Sequence, residues 1–236
     1  MVLPASLRAI SRQQLAAIAA MLLIVVPAAL NGLYFPLLHR MGAPYFWAAE
    51  LLQWLVAPAL AYGIFLRPAG ITLAQLGYRQ YDASGRSITD SFGTMVLLTG
   101  ALTIGTVLGT RLLWRLFGYW SGSHFTYYQV IPESELLGPL VAIWFSLSAG
   151  FVEETTYHAL PWYLMTTLPV STWDKRRYLR WSSVVFALVH WEQGIVGVLS
   201  ALFFGYCCGL FYANRRNIWP IIVAHAWFDL YCFWPD

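Results

Sequence analysis

The chain has 236 residues, 59% of them hydrophobic and only 11% charged, with a net charge of +3 and a mean hydropathy of +0.58. Soluble domains carry about a quarter charged residues, so this composition excludes an ordinary soluble globular protein. Nothing in the charge pattern resembles a nucleic-acid-binding surface. Cys207, Cys208 and Cys232 all fall in apolar stretches without CxxC spacing, so buried reduced thiols are expected rather than a disulfide framework.

The first apolar stretch, 15–38, is longer than a signal-peptide core and has no small-residue cleavage site before Asn31, so it reads as a retained helix. Further spans follow at 46–66, 92–117, 138–166, 180–193, 194–213 and 217–234, the fifth being the shortest. Crossing a bilayer takes about 20 apolar residues per helix. The expected fold is therefore all-α, a polytopic transmembrane bundle of about seven spanning helices. It forms one integral membrane domain, with 1–137 supplying N-terminal helices and 138–236 a helical core that holds the chemistry.

Seven spans put Arg8, Arg12, Arg67, Arg79, Arg86, Lys175, Arg176, Arg177, Arg180, Arg215 and Arg216 on one side, against Arg40, Arg111 and Arg115 on the other. This split makes the first side, and with it the N-terminus, cytoplasmic, and the plasma (inner) membrane the expected location. Trp47, Tyr62, Trp120, Trp181, Trp219 and Trp234 recur near span ends, as interfacial anchors do. Gly105-xxx-Gly109 and Gly205-xxx-Gly209 have the spacing that lets helix backbones approach closely.

An ionisable side chain at the centre of a spanning helix costs at least about 2.5–3.5 kcal/mol, so such residues are functional candidates. The fourth span carries Glu153, Glu154 and His158, the fifth His190, and the seventh His225 and Asp229. At about 1.5 Å rise per residue, Glu153 lies roughly 20 Å, His190 about 15 Å and His225 about 12 Å from their cytoplasmic helix ends, within a turn or two of one another. Glu154 and His158, Phe186 and His190, and His225 and Asp229 are i,i+4 neighbours. Adjacent Glu153 and Glu154 point about 100° apart on an α-helix, so one of them is expected to face a common site directly. Glu50, Arg111 and Arg115, near outer span ends, read as structural charges that snorkel or pair. Glu192, just past His190, is assigned no role.

Glu153-Glu154-Thr-Thr-Tyr-His158, Phe186-Ala-Leu-Val-His190 and His225-Ala-Trp-Phe-Asp229 resemble, in order and spacing, the three motifs of the CPBP family. That family comprises the type II CAAX prenyl proteases and the Abi-like bacteriocin-processing and self-immunity proteins. Leu76-Gly77-Tyr78 is similar to a short LG element of many members. The resemblance implies a glutamate-dependent intramembrane endopeptidase acting within the lipid bilayer on a membrane-associated or lipidated peptide or protein. It implies that Glu153 and His190 activate water, that His225 and Asp229 hold the tetrahedral intermediate, and that Glu154 is a supporting acid. His158 stands where the family has Arg, and Asp229 where Asn is common. A carboxylate near an oxyanion must be protonated or must orient His225 instead. The chemistry agrees, since a carboxyl out of bulk water becomes a competent base near neutral pH.

Three other readings compete. Glu, His and Asp are also metal ligands, but there is no HExxH, and a metal-free water is favoured, so no cofactor is expected. The same groups could form a proton or ion relay in a transporter, against which stands the lack of an internal repeat. The third is a non-catalytic immunity protein of the same fold.

Overall fold

The computed structural model describes residues 10–80, 85, 92–118, 122, 127–167 and 174–234; Arg8, Arg86 and Trp120 lie outside the described residues. No strand occurs among the described residues. The helical runs are α1 (Arg12–Met41), α2 (Ala43–Ala69), α3 (Phe92–Phe117), α4 (Leu137–Thr167), α5 (Lys175–Leu188), α6 (Gly194–Arg215) and α7 (Trp219–Phe233).

Local chemistry sets the boundaries. Ser11 and Gln14 form a reciprocal capping box at the start of α1, with 2.8 and 3.2 Å hydrogen bonds. Gly42, at φ 123°, ends it by returning its N–H to Leu38 and His39, and Pro44 then opens α2. Asp174 caps α5 by accepting from the Arg177 N–H at 2.8 Å. A π-helical segment, Glu154–Ala159, interrupts α4 at the first motif. Such widened turns recur at functional sites.

Each of the seven expected stretches contains a helix, but among the described residues five runs are long and apolar enough to cross a membrane: α1, α2, α3, α4 and 191–215. Helices α5 and α7 have 14 and 15 residues. At about 1.5 Å per residue each rises only some 21–22 Å, short of a hydrocarbon core of about 30 Å. The expected fifth span, 180–193, thus ends early: α5 stops at Leu188, and His190 sits in the turn that reverses the chain into α6. An irregular turn at membrane depth is tolerated only where protein buries it or it lines a wet cavity.

The exterior is aliphatic. Leu33, Leu97, Ile104, Leu112, Leu116 and Trp181 are more than half exposed, a surface suited to lipid rather than water. This is an integral membrane protein. Polar contacts gather one end of the bundle. Gln14 Nε2 donates to the Thr167 carbonyl (2.7 Å), tying the start of α1 to the end of α4, and Lys175 Nζ donates to Asn214 Oδ1, tying the start of α5 to the end of α6. At the same end the LG element acts as a clasp. The Gly77 carbonyl accepts from the Ile218 N–H at 3.0 Å, and the Tyr78 hydroxyl bonds Thr155 Oγ1 at 2.6 Å. The start of α7 is thereby fixed to the π segment of α4.

Two smaller expectations need correction. Of the cysteines, only Cys208 is buried; Cys207 is half-buried, and Cys232 is exposed and lines a cavity between α3, α6 and α7. Gly205 and Gly209 do sit in close contacts, but a Cβ on Gly109 would meet nothing within 4 Å among the described residues, and one on Gly105 only ordinary contact with Phe203 at 3.5 Å. The spacing that serves α6 has no such function in α3.

Candidate active site

Helices α4 and α7 cross at Gly150, one turn before the glutamates. A Cβ there would stand 2.9 Å from the Ile222 carbonyl oxygen and 3.3 Å from the Ala226 Cβ, so the hydrogen side chain permits the approach. The crossing brings His225 of α7 onto both glutamates. Its Nδ1 lies 2.6 Å from Glu154 Oε1, and its Nε2 3.9 Å from Glu153 Oε2. Of the two glutamates only Glu153 lines a cavity at the site, as the angular offset leads one to expect; Glu154 lies behind and reaches the site through His225, whose imidazole has one carboxylate beside each ring nitrogen.

His190 approaches from the α5–α6 turn. Its Nδ1 lies 2.7 Å from the Phe186 carbonyl. A carbonyl can only accept, so Nδ1 carries the proton and the neutral ring has an open lone pair at Nε2. That Nε2 stands 3.8 Å from Glu153 Oε2. Both separations from Glu153 are too long for direct hydrogen bonds, and Glu153 Oε2 is buried with no hydrogen-bond partner. One carboxylate oxygen and two imidazole nitrogens therefore border a common gap.

Phe186 is the spacer beneath this arrangement, with ring centroids 4.7 Å from His190, 5.9 Å from His158 and 6.0 Å from His225. Gly205 of α6 makes room for it, since a Cβ there would lie 2.6 Å from the Phe186 ring. Gly205→Ala is expected to destabilise the protein by about 1–3 kcal/mol through overpacking and to lower its Tm in detergent. Gly109→Ala, at an open position, should leave Tm unchanged or raise it slightly through helix propensity. Equal Tm shifts for the two would contradict this packing account.

Behind the gap runs a buried polar chain. Ser182 Oγ donates to the Tyr157 carbonyl and accepts from His158 Nδ1 at 2.8 Å. His158 Nε2 faces Glu154 Oε2 at 3.5 Å, with both residues fully buried. On the other side, His225 Nε2 lies 3.4 Å from Asp229 Oδ2. Glu154 and His158 line neither of the two cavities that meet at the site, whereas Glu153, His190, His225 and Asp229 do.

Those cavities share Tyr127, His190, Gln193, His225, Asp229 and Phe233. The smaller, about 80 Å³, has room for a few waters. The larger, about 330 Å³, opens between α3, α6 and α7 over Phe186, Phe204 and Phe228. Several lining residues were not legible as site residues. Asn31, Glu192 and Gln193 carried no motif signal. Glu50 was expected to snorkel or pair with an outer arginine; instead it is 1% exposed, accepts from Trp144 Nε1 at 3.3 Å and lines the smaller cavity. Its place on an apolar helix was the available signal, and proximity to the span end hid it.

Residues 135–231 match the family model for type II CAAX prenyl endopeptidases of the Rce1-like kind. The Rce1-like segment contains all three motifs, so the resemblance read from them holds over the part of the chain that carries the ionisable cluster. It supports a peptidase, an intramembrane endopeptidase in general terms, working in a lipid bilayer on a peptide substrate. No curated protein and no solved structure matches the chain.

Proposed function

We propose that the protein is a glutamate-dependent intramembrane endopeptidase that hydrolyses a membrane-associated or lipidated peptide with water held between Glu153, His190 and His225. The observation that carries this reading is the gap itself: an unpartnered Glu153 Oε2 bordered at 3.8 and 3.9 Å by the Nε2 atoms of two histidines from different elements. A water seated there donates one proton to Glu153 and the other to the bare Nε2 of His190. Glu153 takes its proton as the water oxygen attacks the scissile carbonyl carbon. The resulting oxyanion is stabilised by the Nε2–H of His225, whose ring is held by Glu154 at Nδ1 and by Asp229 beside Nε2. Collapse breaks the C–N bond, and Glu153 passes its proton to the leaving amine.

Asp229, at 3.4 Å from His225 Nε2, serves in this reading as an orienter of the imidazole. His158 replaces a fixed cation by a ring that Ser182 orients toward Glu154. The metal-free form is favoured by the absence of an HExxH motif from the sequence. In this reading the protein is a plasma-membrane enzyme with its N-terminus cytoplasmic; the orientation is supported by Arg12, Arg67, Lys175 and Arg215, which stand at corresponding ends of alternating helices.

The test is a panel of fluorogenic membrane peptides, with and without a lipid anchor, offered to the purified protein in vesicles. Cleavage that persists in phenanthroline is the expected result. Loss of cleavage on chelation with recovery on adding zinc would replace the water-activating reading by a metal one.

A further inference from the structure

The smaller cavity has a second polar wall that the catalytic reading does not use, and it comes largely from outside the Rce1-like segment. Asn31 of α1, Glu50 of α2 and Glu192 of the α5–α6 turn line it together with Glu153 and His190. They are only 6%, 1% and 3% exposed. Asn31 Oδ1 and Glu192 Oε2 have no hydrogen-bond partner, and Glu50 Oε2 makes no hydrogen bond of ordinary geometry, although Trp54 and Tyr127 stand beside that carboxylate. The remaining carboxylate oxygens are held in place, Glu50 Oε1 by Trp144 Nε1 at 3.3 Å and Glu192 Oε1 by Gln193 Nε2 at 3.4 Å. The wall is also rigid in its backbone, because Trp191 Nε1 donates to the Ala29 carbonyl at 2.8 Å and so ties the turn to α1.

All three atoms are acceptors. Buried acceptors left unmade are costly, and helix packing alone would leave apolar groups here. No Lys or Arg lines the cavity to satisfy them. A group with several N–H donors and a positive charge matches the wall: an ammonium has three donors and a guanidinium five. A metal ion fits less well, since no metal-holding group of three occurs among the described residues.

We propose that Asn31, Glu50 and Glu192 form a subsite for a basic side chain, Lys or Arg, of the substrate peptide at a position flanking the scissile bond. The location rests on the proteolytic reading, because the subsite shares its cavity with Glu153. A cavity of about 80 Å³ is only a few ångströms across, and extended chain spans about 3.3–3.6 Å per residue, so the basic residue lies within one or two positions of the cleaved bond.

The experiment uses N-acetylated, C-amidated fluorogenic membrane peptides that differ only by Lys or norleucine at positions flanking the cleaved bond. Acetylation removes the terminal amine, and a lipid amine is common to every arm, so a difference between peptides reports the side chain. Wild-type protein is expected to favour the Lys peptide at least tenfold in kcat/KM. The Lys-to-norleucine ratio should fall toward one in Glu50→Gln and in Glu192→Gln, each variant being compared with its own norleucine rate. Fluorescence anisotropy of the same labelled peptides on Glu153→Gln protein should show the same preference in Kd. Charge-selective binding without cleavage by the wild type would sink the protease reading and leave the subsite standing. Cleavage with equal kcat/KM for the two peptides, or a ratio unchanged in both variants, would overturn the subsite.

Discussion

Glu153→Gln is expected to reduce peptide cleavage by about 10²–10⁴-fold, the usual cost of a lost general base, while the protein keeps its helical content and Tm. Glutamine preserves the volume and can still accept a hydrogen bond, but it cannot take the proton from the attacking water. The position makes a folding defect improbable as an explanation: Glu153 Oε2 has no hydrogen-bond partner to lose, and its neighbouring imidazoles stand 3.8 and 3.9 Å away. His190→Ala should be similarly severe, since it removes the only bare imidazole nitrogen bordering the gap among the described residues. Circular dichroism and thermal unfolding alongside the cleavage assay decide the matter. A folded Glu153→Gln protein that cleaves at the wild-type rate would end the glutamate-dependent assignment.

Glu154→Gln should be nearly as damaging, although Glu154 touches neither cavity. From the roughly 100° offset along an α-helix, a mild effect is the natural expectation. The 2.6 Å contact between Glu154 Oε1 and His225 Nδ1 changes it. Glutamine can present its amide to that nitrogen, turning the tautomer over and removing the negative charge that supports a protonated ring. Replacing the carboxylate that holds a catalytic histidine in another hydrolase costs about 10⁴-fold for this reason. The expected loss here is about 10²–10⁴-fold in kcat with little change in KM, because Glu154 does not line the substrate space. A large KM effect with kcat preserved would place Glu154 in substrate binding and refute a positioning role.

Hydropathy located most of the helices because the bilayer imposes a length scale on apolar runs, but it misplaced α5, which is too short to span and runs from Lys175 to Leu188 rather than over 180–193. Charge bookkeeping failed at Glu50, which looked like a span-end charge and is a cavity wall. Period arguments fell short at Glu154: the angular offset keeps it out of the cavity but says nothing about a ring that enters between two side chains from another helix. They failed again at His190, whose helix ends two residues earlier, so that a turn rather than a span presents it. Small-xxx-small spacing was equally ambiguous: it marks a true close approach in α6 and an open face in α3.

What the sequence determined by itself was the all-α membrane class, most of the helix positions and the set of ionisable residues that a bilayer would not tolerate without cause. These follow from local quantities, apolar run length and the cost of charge in hydrocarbon, which neighbouring residues decide. The tertiary structure decided which of those residues meet. The Gly150 crossing sets the α4–α7 distance, and with it the Glu154–His225 contact. The reversal at His190 and the entry of Asn31 and Glu50 into the same cavity depend on packing between segments far apart in the chain. No periodicity within one helix carries that information, because side-chain convergence is a property of how helices cross rather than of how each is composed.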